Sequence, residues 1–395
     1  THPRAAVAQL VEHFTRNEGV SGSNPLGGLA PDSTPEPTVS VVVVTYRQGE
    51  ALRGPLAAAA AQLQGGGDEL IVVDNASGDR TPEIALEAAP GATLIRSARN
   101  AGFPAACNAG AAEASGSVLV FLNPDAAPAP GWREAIAAPA TAADGWTAWQ
   151  ALVTADGGTR INTRGGVVHF TGIAWAGGAG DPLEGETGTD RDEDEAGAGG
   201  DGEPGFASGA CLAIRRADFE RLGGFAPDFF LYHEDVDLSL RVRLAGGRLG
   251  VARDARVDHD YEFDKGPAKW RHLERNRWAT LIRTYPAPLL ALLAPALAAT
   301  ELALLVAATA GGWLPQKLGA WGDTLRALPR LLRERRDVQA TRTISAADFA
   351  RALTPGLDSA YLGAAGRSVL LARVLRAYWA LVLRLLGSGG GPRPV

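Results

Sequence analysis

From Thr38 onward the chain turns abruptly apolar. Val39-Ser40-Val41-Val42-Val43-Val44-Thr45-Tyr46 is a β-branched run with almost no polar break, the pattern of a parallel strand covered on both faces. Leu52, Leu56 and Leu63 then share one face of a predicted helix, and Leu70-Ile71-Val72-Val73 reads as a second strand ending in Asp74-Asn75. Thr81-Pro82 signals a helix start, with Thr as the cap and Pro at the first helical position. Strand Thr93-Leu94-Ile95, a helix from Ala105 to Glu113 and strand Val118–Leu122 complete the alternation. Strands and helices alternating at this spacing predict an α/β fold: a mostly parallel, doubly wound sheet with helices on both faces.

The pattern loosens afterwards. Asp156-Gly157-Gly158 predicts a hairpin turn, and residues 176–205 are Gly-rich and acidic, including Asp190-Arg191-Asp192-Glu193-Asp194-Glu195. Nothing fixes those carboxylates in place, so the stretch reads as a solvated loop and not a metal site. Structure resumes at Ala210-Cys211-Leu212-Ala213-Ile214, and a helix beginning at His233 buries Val236, Leu240 and Leu244. Past Pro286, Leu289 to Ala310 is apolar except for Pro295, Thr300, Glu301 and Thr309, long enough for a bilayer core of ~30 Å. Val369 to Leu386 sets Arg373, Arg376 and Arg384 beside leucines, as interfacial helices do. The expected organisation is a tail over 1–37, disordered or adventitious; a catalytic domain over 38–285; and a helical membrane-associating region over 286–395.

Composition narrows the partners. A net charge of -6 offers no basic footprint for nucleic acid. Two cysteines, Cys107 and Cys211, make neither a disulfide framework nor a thiolate metal cage, which fits a reducing cytoplasm. No charged-then-apolar export segment opens the chain, so the catalytic part is expected inside the cell.

Polar residues collect where the predicted strands end: Thr45-Tyr46, Asp74-Asn75 and Asn123-Pro124-Asp125. Ligands of open α/β sheets bind at that edge. Transfer of a sugar from a nucleotide diphosphate needs a nucleotide cradle, a cation to neutralise the departing diphosphate, and a base for the acceptor hydroxyl. Asp74 with Asn75 and Ser77 offers the cradle, Asp125 with His259 the cation ligands, and Asp235 the base. One Asp and one His suffice for Mg²⁺ or Mn²⁺ when phosphates supply the other ligands.

Each piece also has a plainer reading. Asp74-Asn75-Ala76-Ser77 suits a strand-to-helix turn and Asn123-Pro124-Asp125 a Pro-containing turn. Glu234-Asp235-Val236-Asp237 suits an acidic helix start, and His259 a surface histidine. A helix amino terminus also keeps Asp235 ionised and thus a weak base, sufficient if the sugar–oxygen bond breaks early.

In order and spacing, these motifs resemble the family 2 glycosyltransferases, which have the GT-A (Rossmann-like) fold. The resemblance runs from about Thr38 to Pro286. It is carried by Val43-Val44-Thr45-Tyr46, Asp74-Asn75-Ala76-Ser77, Asn100-Ala101-Gly102-Phe103, Asn108-Ala109-Gly110, Asn123-Pro124-Asp125, Ser208-Gly209-Ala210-Cys211, Gly223-Gly224-Phe225, Glu234-Asp235-Val236-Asp237 and His259. It implies that Asp74 and Asn75 contact the nucleoside and that Arg99 and Asn100 lie near the nucleotide, with Thr45, Tyr46, Ser77, Gly102, Asn123 and Glu234 completing the nucleotide-sugar site. By the same resemblance Asp125 is the surviving carboxylate of the metal motif, His259 the second metal ligand and Asp235 the catalytic base.

Asn123 and Asn75 stand where the common motifs carry Asp, as in the bacterial rhamnosyl- and galactofuranosyltransferase branch. The implied activity is inverting transfer of a sugar, rhamnose among the donors, from a nucleotide-diphospho-sugar to a lipid-linked or cell-envelope glycan acceptor such as a polyprenyl-diphosphate sugar. The expected place is the cytoplasmic face of the bacterial inner membrane.

Two other readings compete: a nucleotidyltransferase, whose Gly-rich basic loop is not matched by Thr45-Tyr46-Arg47-Gln48-Gly49, and a catalytically degenerate sugar-nucleotide-binding membrane protein. A dinucleotide oxidoreductase lacks its G-x-G-x-x-G after the first strand. The membrane topology poses a conflict. Lys317, Arg326, Arg330, Arg333, Arg335, Arg336 and Arg342 follow the apolar run. The positive-inside tendency keeps them with the catalytic domain, whereas a single crossing puts them outside. A re-entrant or interfacial arrangement, or a second span at Val369–Leu386, remains open at this stage.

Overall fold

The computed structural model describes residues 36–63, 66–143, 145–183, 202–260, 266–357 and 368–388. The expectations for residues 1–35 and for the acidic run Asp190–Glu195 fall outside them. The first half alternates as predicted: β1 (Val39–Thr45), α1 (Arg53–Ala60), β2 (Glu69–Asp74), α2 (Thr81–Ala88), β3 (Thr93–Arg96), α3 (Phe103–Glu113) and β4 (Val118–Leu122). A short β5 (Ala127–Pro128) and α4 (Trp132–Ala137) lead into β6 (Trp146–Ala155), which turns at 156–159 into β7 (Arg160–Thr163). β8 (Gly166–Val168) and β9 (Ala174–Ala176) form a separate two-stranded sheet. β10 (Cys211–Arg215), α5 (Arg216–Arg221), α6 (Glu234–Leu244) and β11 (Arg248–Asp258) close the α/β part. Four longer or flanking helices follow α7 (Ala268–Thr284): α8 (Ala287–Ala310), α9 (Leu314–Ala340), α10 (Ala346–Arg351) and α11 (Val369–Ser388).

The main sheet runs β3-β2-β1-β4-β10-β6-β11-β5, with β7 paired to β6. β1 is parallel to both β2 and β4, and β2 to β3, whereas β10 is antiparallel to β4 and β6. This is the mostly parallel sheet expected, with the direction reversed at β10. The β-branched run of β1 is buried throughout because alternate side chains feed two cores. Val39, Val41 and Val43 pack with Leu52, Leu56 and Trp132 on one face, and Val42 and Val44 with Cys107, Phe121 and Phe225 on the other. Both cysteines are buried.

One predicted cap shifts by a residue. Thr81 is the first residue of α2, not its cap, and Arg80 takes the cap position. The Thr81 hydroxyl accepts instead from the Gly49 N–H at 3.0 Å, and Asp79 Oδ1 accepts from the Thr81 N–H at 3.0 Å. A preceding carboxylate has taken over the capping of the backbone.

The helices after Pro286 do not form a body of their own; Pro37 onward is one compact unit. Leu289, Leu293 and Leu297 of α8 share a core with Leu240 and Leu244 of α6, Tyr285, Phe349 of α10 and Trp379 of α11.

Candidate active site

Strand ends and the start of α6 deliver the predicted chemistry to one edge of the sheet. β4 ends at Leu122 and releases Asn123-Pro124-Asp125; β11 ends at Asp258 and releases His259. His259 Nε2 lies 3.1 Å from Asp125 Oδ1 and 3.4 Å from Asn123 Nδ2. The ring is buried while Asp125 is exposed, so imidazole and carboxylate converge from the protein side and the solvent side. Backbone fixes the histidine: its N–H donates to Thr154 O at 2.9 Å and its carbonyl accepts from Asn162 Nδ2 at 2.7 Å.

Asn123, Asp125, Glu234, Asp235 and His259 all line one cavity of about 440 Å³. Asp235 is held within it by two backbone donors, the Gly209 N–H to Oδ2 at 3.0 Å and the Val236 N–H to Oδ1 at 2.8 Å. Sequence reasoning expected the helix start to keep Asp235 a weak base, and burial reverses that. Desolvation outweighs those hydrogen bonds and raises the carboxyl above the ordinary aspartate range, making it a better proton acceptor. Its neighbour Glu234 is pushed up to about 8, by burial first and by the Asp235 charge second. Glu234 Oε2 is buried and has no hydrogen-bond partner, an environment that favours the protonated form, which has a hydrogen bond to give.

The strands leading to this edge carry the predicted nucleoside residues, but those residues do not line the cavity. They form an adjoining, tightly bonded turn. Asn75 donates its N–H to Thr45 O and its side-chain amide to Asn100 Oδ1 at 3.0 Å, while Asn75 Oδ1 accepts from the Ala101 N–H. Asn100 Oδ1 also accepts from the Gly102 N–H at 2.9 Å. Asp74 Oδ1 accepts from the Ser77 N–H, and Ser77 Oγ from the Arg47 N–H. Asp74 and Ser77 are thus both buried and locally engaged, as the turn reading anticipates. The Thr45 hydroxyl is buried without a partner, Tyr46 is exposed with the Arg47 guanidinium over its ring, and Arg99 is exposed.

Gly102 joins the turn to the cavity. At φ 86° it is in a region that only glycine enters freely, and a Cβ there would stand 2.5 Å from Phe230 O. The next N–H, of Phe103, donates to that same carbonyl at 2.8 Å. Phe230, Tyr232 and His233 themselves have positive φ, a strained run leading straight into Glu234 and Asp235. Asn276 of α7 holds it: Nδ2 lies 2.9, 2.8 and 2.7 Å from the carbonyls of Phe229, Leu231 and Tyr232.

Sequence reasoning missed Asn276, one polar residue in a charged helix with no motif around it. It also missed Gln150, whose Oε1 accepts from the Ser208 N–H at 2.8 Å and so sets the loop that holds Asp235. Gln150 did leave a signal, being a fully buried amide inside the otherwise apolar run of β6. The cavity's apolar wall, with Trp175, Phe206, Trp270 and Leu304, comes from segments with no motif at all.

The family described as Glycosyl transferase family 2 matches residues 40–223. N-acetylglucosaminyl-diphospho-decaprenol L-rhamnosyltransferase of Mycobacterium tuberculosis (strain H37Rv) is 30% identical over 269 residues, 61% of this chain and 82% of that protein. The chain belongs to glycosyltransferase family 2. This family 2 glycosyltransferase falls on the rhamnosyltransferase side of the family: rhamnosyltransferase WbbL of Escherichia coli K12 is 46% identical over a shorter stretch of 44 residues, 11% of this chain and 17% of that one. Among solved structures, the mannosyltransferase PcManGT from Pyrobaculum calidifontis, in complex with GDP-Man and Mn²⁺, covers 91% of the glycosyltransferase and 88% of its own chain at 20% identity and a TM-score of 0.45.

Among the described residues no cluster of three His, Cys, Asp or Glu could cage a metal ion. The pair Asp125 and His259 still fits a hard cation, because its two donor atoms meet at one point on an open cavity where a diphosphate can add oxygens.

Proposed function

We propose that this glycosyltransferase is inverting and metal-dependent, and that it moves a sugar, rhamnose being the first to test, from a nucleotide diphosphate to a polyprenyl-diphosphate-linked glycan. The observation that carries the reading is the convergence of Asp125, His259 and Asp235 in the lining of one cavity, together with the apolar side chains of Trp175, Phe206, Trp270 and Leu304. Asp125 and His259 would hold Mg²⁺ or Mn²⁺, which when bound neutralises charge on the departing diphosphate. Asp235 takes the proton as the acceptor hydroxyl oxygen bonds to the anomeric carbon, while the bond from that carbon to the diphosphate oxygen breaks on the other side. Attack opposite the leaving group inverts the anomeric centre. Neutral Glu234 donates a hydrogen bond within the same cavity, and the turn of Asp74, Asn75 and Asn100 abuts the nucleoside.

The curated relative from Mycobacterium tuberculosis is named for a decaprenol-linked acceptor, and an apolar wall reaching Leu304 of α8 suits a lipid-linked substrate here. Such an acceptor would put the reaction at a membrane surface, and we propose the cytoplasmic face of the inner membrane. A panel of nucleotide sugars screened by thermal shift, with and without Mn²⁺, tests the reading. One nucleotide-diphospho-sugar should raise the melting temperature in a saturable way, only with the cation, and Asp125→Ala with His259→Ala should abolish that cation-dependent shift. A response indifferent to chelator and to both substitutions contradicts the metal assignment.

A further inference from the structure

α8 is built inside out. Its one charged residue, Glu301, faces the protein, where it meets Lys317 Nζ at 2.8 Å, Trp321 Nε1 at 2.6 Å and the Arg277 guanidinium. Its outward positions, Ala291, Ala294, Ala298, Leu302, Val306 and Ala310 among them, carry no charge over 24 residues. Leu302 and Val306 are 67% and 70% exposed. A helix at a water interface has the opposite arrangement.

Both ends of α8 rest on the catalytic domain. At its start Leu289 is buried in the core with Tyr285 and Phe349. Just past its end the Trp313 ring stacks on Trp270, a cavity residue, at 4.8 Å. At about 1.5 Å per residue the helix is about 36 Å long, enough to cross a bilayer core of ~30 Å. A crossing helix, however, has its ends on opposite sides of that core, and a mid-helix ion pair with the catalytic domain cannot form there.

α11 lies beside it, with Tyr378 Oη donating to Leu292 O. Its exposed face sets Val369, Leu370, Val374 and Leu381 among Arg373, Arg376 and Arg384, and the helix contains no acidic residue.

We infer that α8 and α11 together form an in-plane membrane surface: their apolar faces sink into one leaflet of a bilayer, the arginines of α11 pair with anionic lipid headgroups, and the cavity opens beside α8 at Leu304. The arrangement keeps Lys317 and the arginines of α9 on the catalytic side of the membrane, which removes the topological conflict posed by the sequence. It rests on the lipid-linked acceptor reading only for its purpose, since it would deliver the acceptor's reacting sugar to Asp235 with the lipid left in the leaflet.

Full-length protein floated with phosphatidylcholine vesicles, with and without phosphatidylglycerol, tests the surface. The protein should bind, and bind more tightly with phosphatidylglycerol. Leu302→Glu with Val306→Glu should weaken binding roughly 100-fold, and Arg373→Glu with Arg376→Glu should remove the phosphatidylglycerol preference. Arg326→Cys, on α9 past the end of α8 and 77% exposed, should react with an impermeant maleimide in inverted membrane vesicles and stay protected in spheroplasts, Cys107 and Cys211 being buried. Labelling from the spheroplast side would make α8 a span and overturn the inference, as would a wild-type protein that self-associates and ignores vesicles. Each variant's melting temperature and its shift with the donor panel report on folding and on the transferase reading separately. Lost vesicle binding with an intact donor shift supports the surface; unchanged binding with an intact shift sinks it alone.

Discussion

Glu234 gives the sharpest physical test of the cavity. Its carboxyl is held at about 8 instead of the ordinary 4.5. At about 1.4 kcal/mol per pH unit between those two values, the ionised form is disfavoured by at most about 5 kcal/mol. The sign follows from proton binding. The folded protein keeps this proton between pH 4.5 and 8 while the unfolded chain releases it. The group's contribution to stability is therefore greatest below pH 4.5 and is lost as pH rises toward 8. Glu234→Gln has nothing to ionise and keeps a donor at the same place.

Melting temperatures of the two proteins, measured from about pH 5.5 to about pH 8.5, should diverge in one direction. The variant should gain on the wild type by up to ~1.4 kcal/mol for each pH unit climbed toward 8, several degrees over the range. Donor-induced stabilisation of the variant at pH 7 should match the wild type. A melting-temperature difference that stays flat across the range would mean that Glu234 is ionised like any surface carboxylate, and the raised proton affinity assigned to its burial would fail with it.

Two further substitutions probe the scaffold. Asn276→Ala strips the donor from the carbonyls of Leu231 and Tyr232, while Phe229 O keeps Arg275 as a donor at 2.6 Å. A stability loss of roughly 3 kcal/mol in denaturant titration is expected, with kcat falling at least ~10-fold and donor KM little changed; an unaltered kcat would show that the strained run does not position Asp235. Gly102→Ala forces a Cβ against Phe230 O, and should cost roughly 2–4 kcal/mol in the same titration. Wild-type stability in that variant would contradict the close approach.

Much of this was legible in the sequence wherever hydrophobic pattern alone decides the outcome. β1, β2 and β4 were readable because continuous β-branched runs have no stable home except a sheet covered on both sides, and the strand ends then located the functional edge. The grouping of Asp125, Asp235 and His259 was legible only through the order and spacing of the motifs that resemble family 2, and the structure brings all three to the lining of one cavity. What sequence could not supply was environment. Asp235 reads as a solvated helix-start carboxylate until Gly209 and the cavity wall are seen around it. Thr81 reads as a cap until Asp79 is found doing that work. Glu301 reads as a flaw in a membrane span, and only its contacts with Lys317, Trp321 and Arg277 reveal which way α8 faces. Asn276 acts through carbonyls more than 40 residues away, a relation no local pattern encodes.

The central claim is that Asp235 accepts the acceptor's proton beside a diphosphate held at Asp125 and His259. Its most direct test is Asp235→Asn, an isosteric change that keeps the side chain's shape and removes its basicity. Single-turnover transfer from the donor selected by thermal shift should fall by ~10²-fold or more, while the donor's dissociation constant stays within about twofold of wild type. Transfer at the wild-type rate by Asp235→Asn would contradict the account.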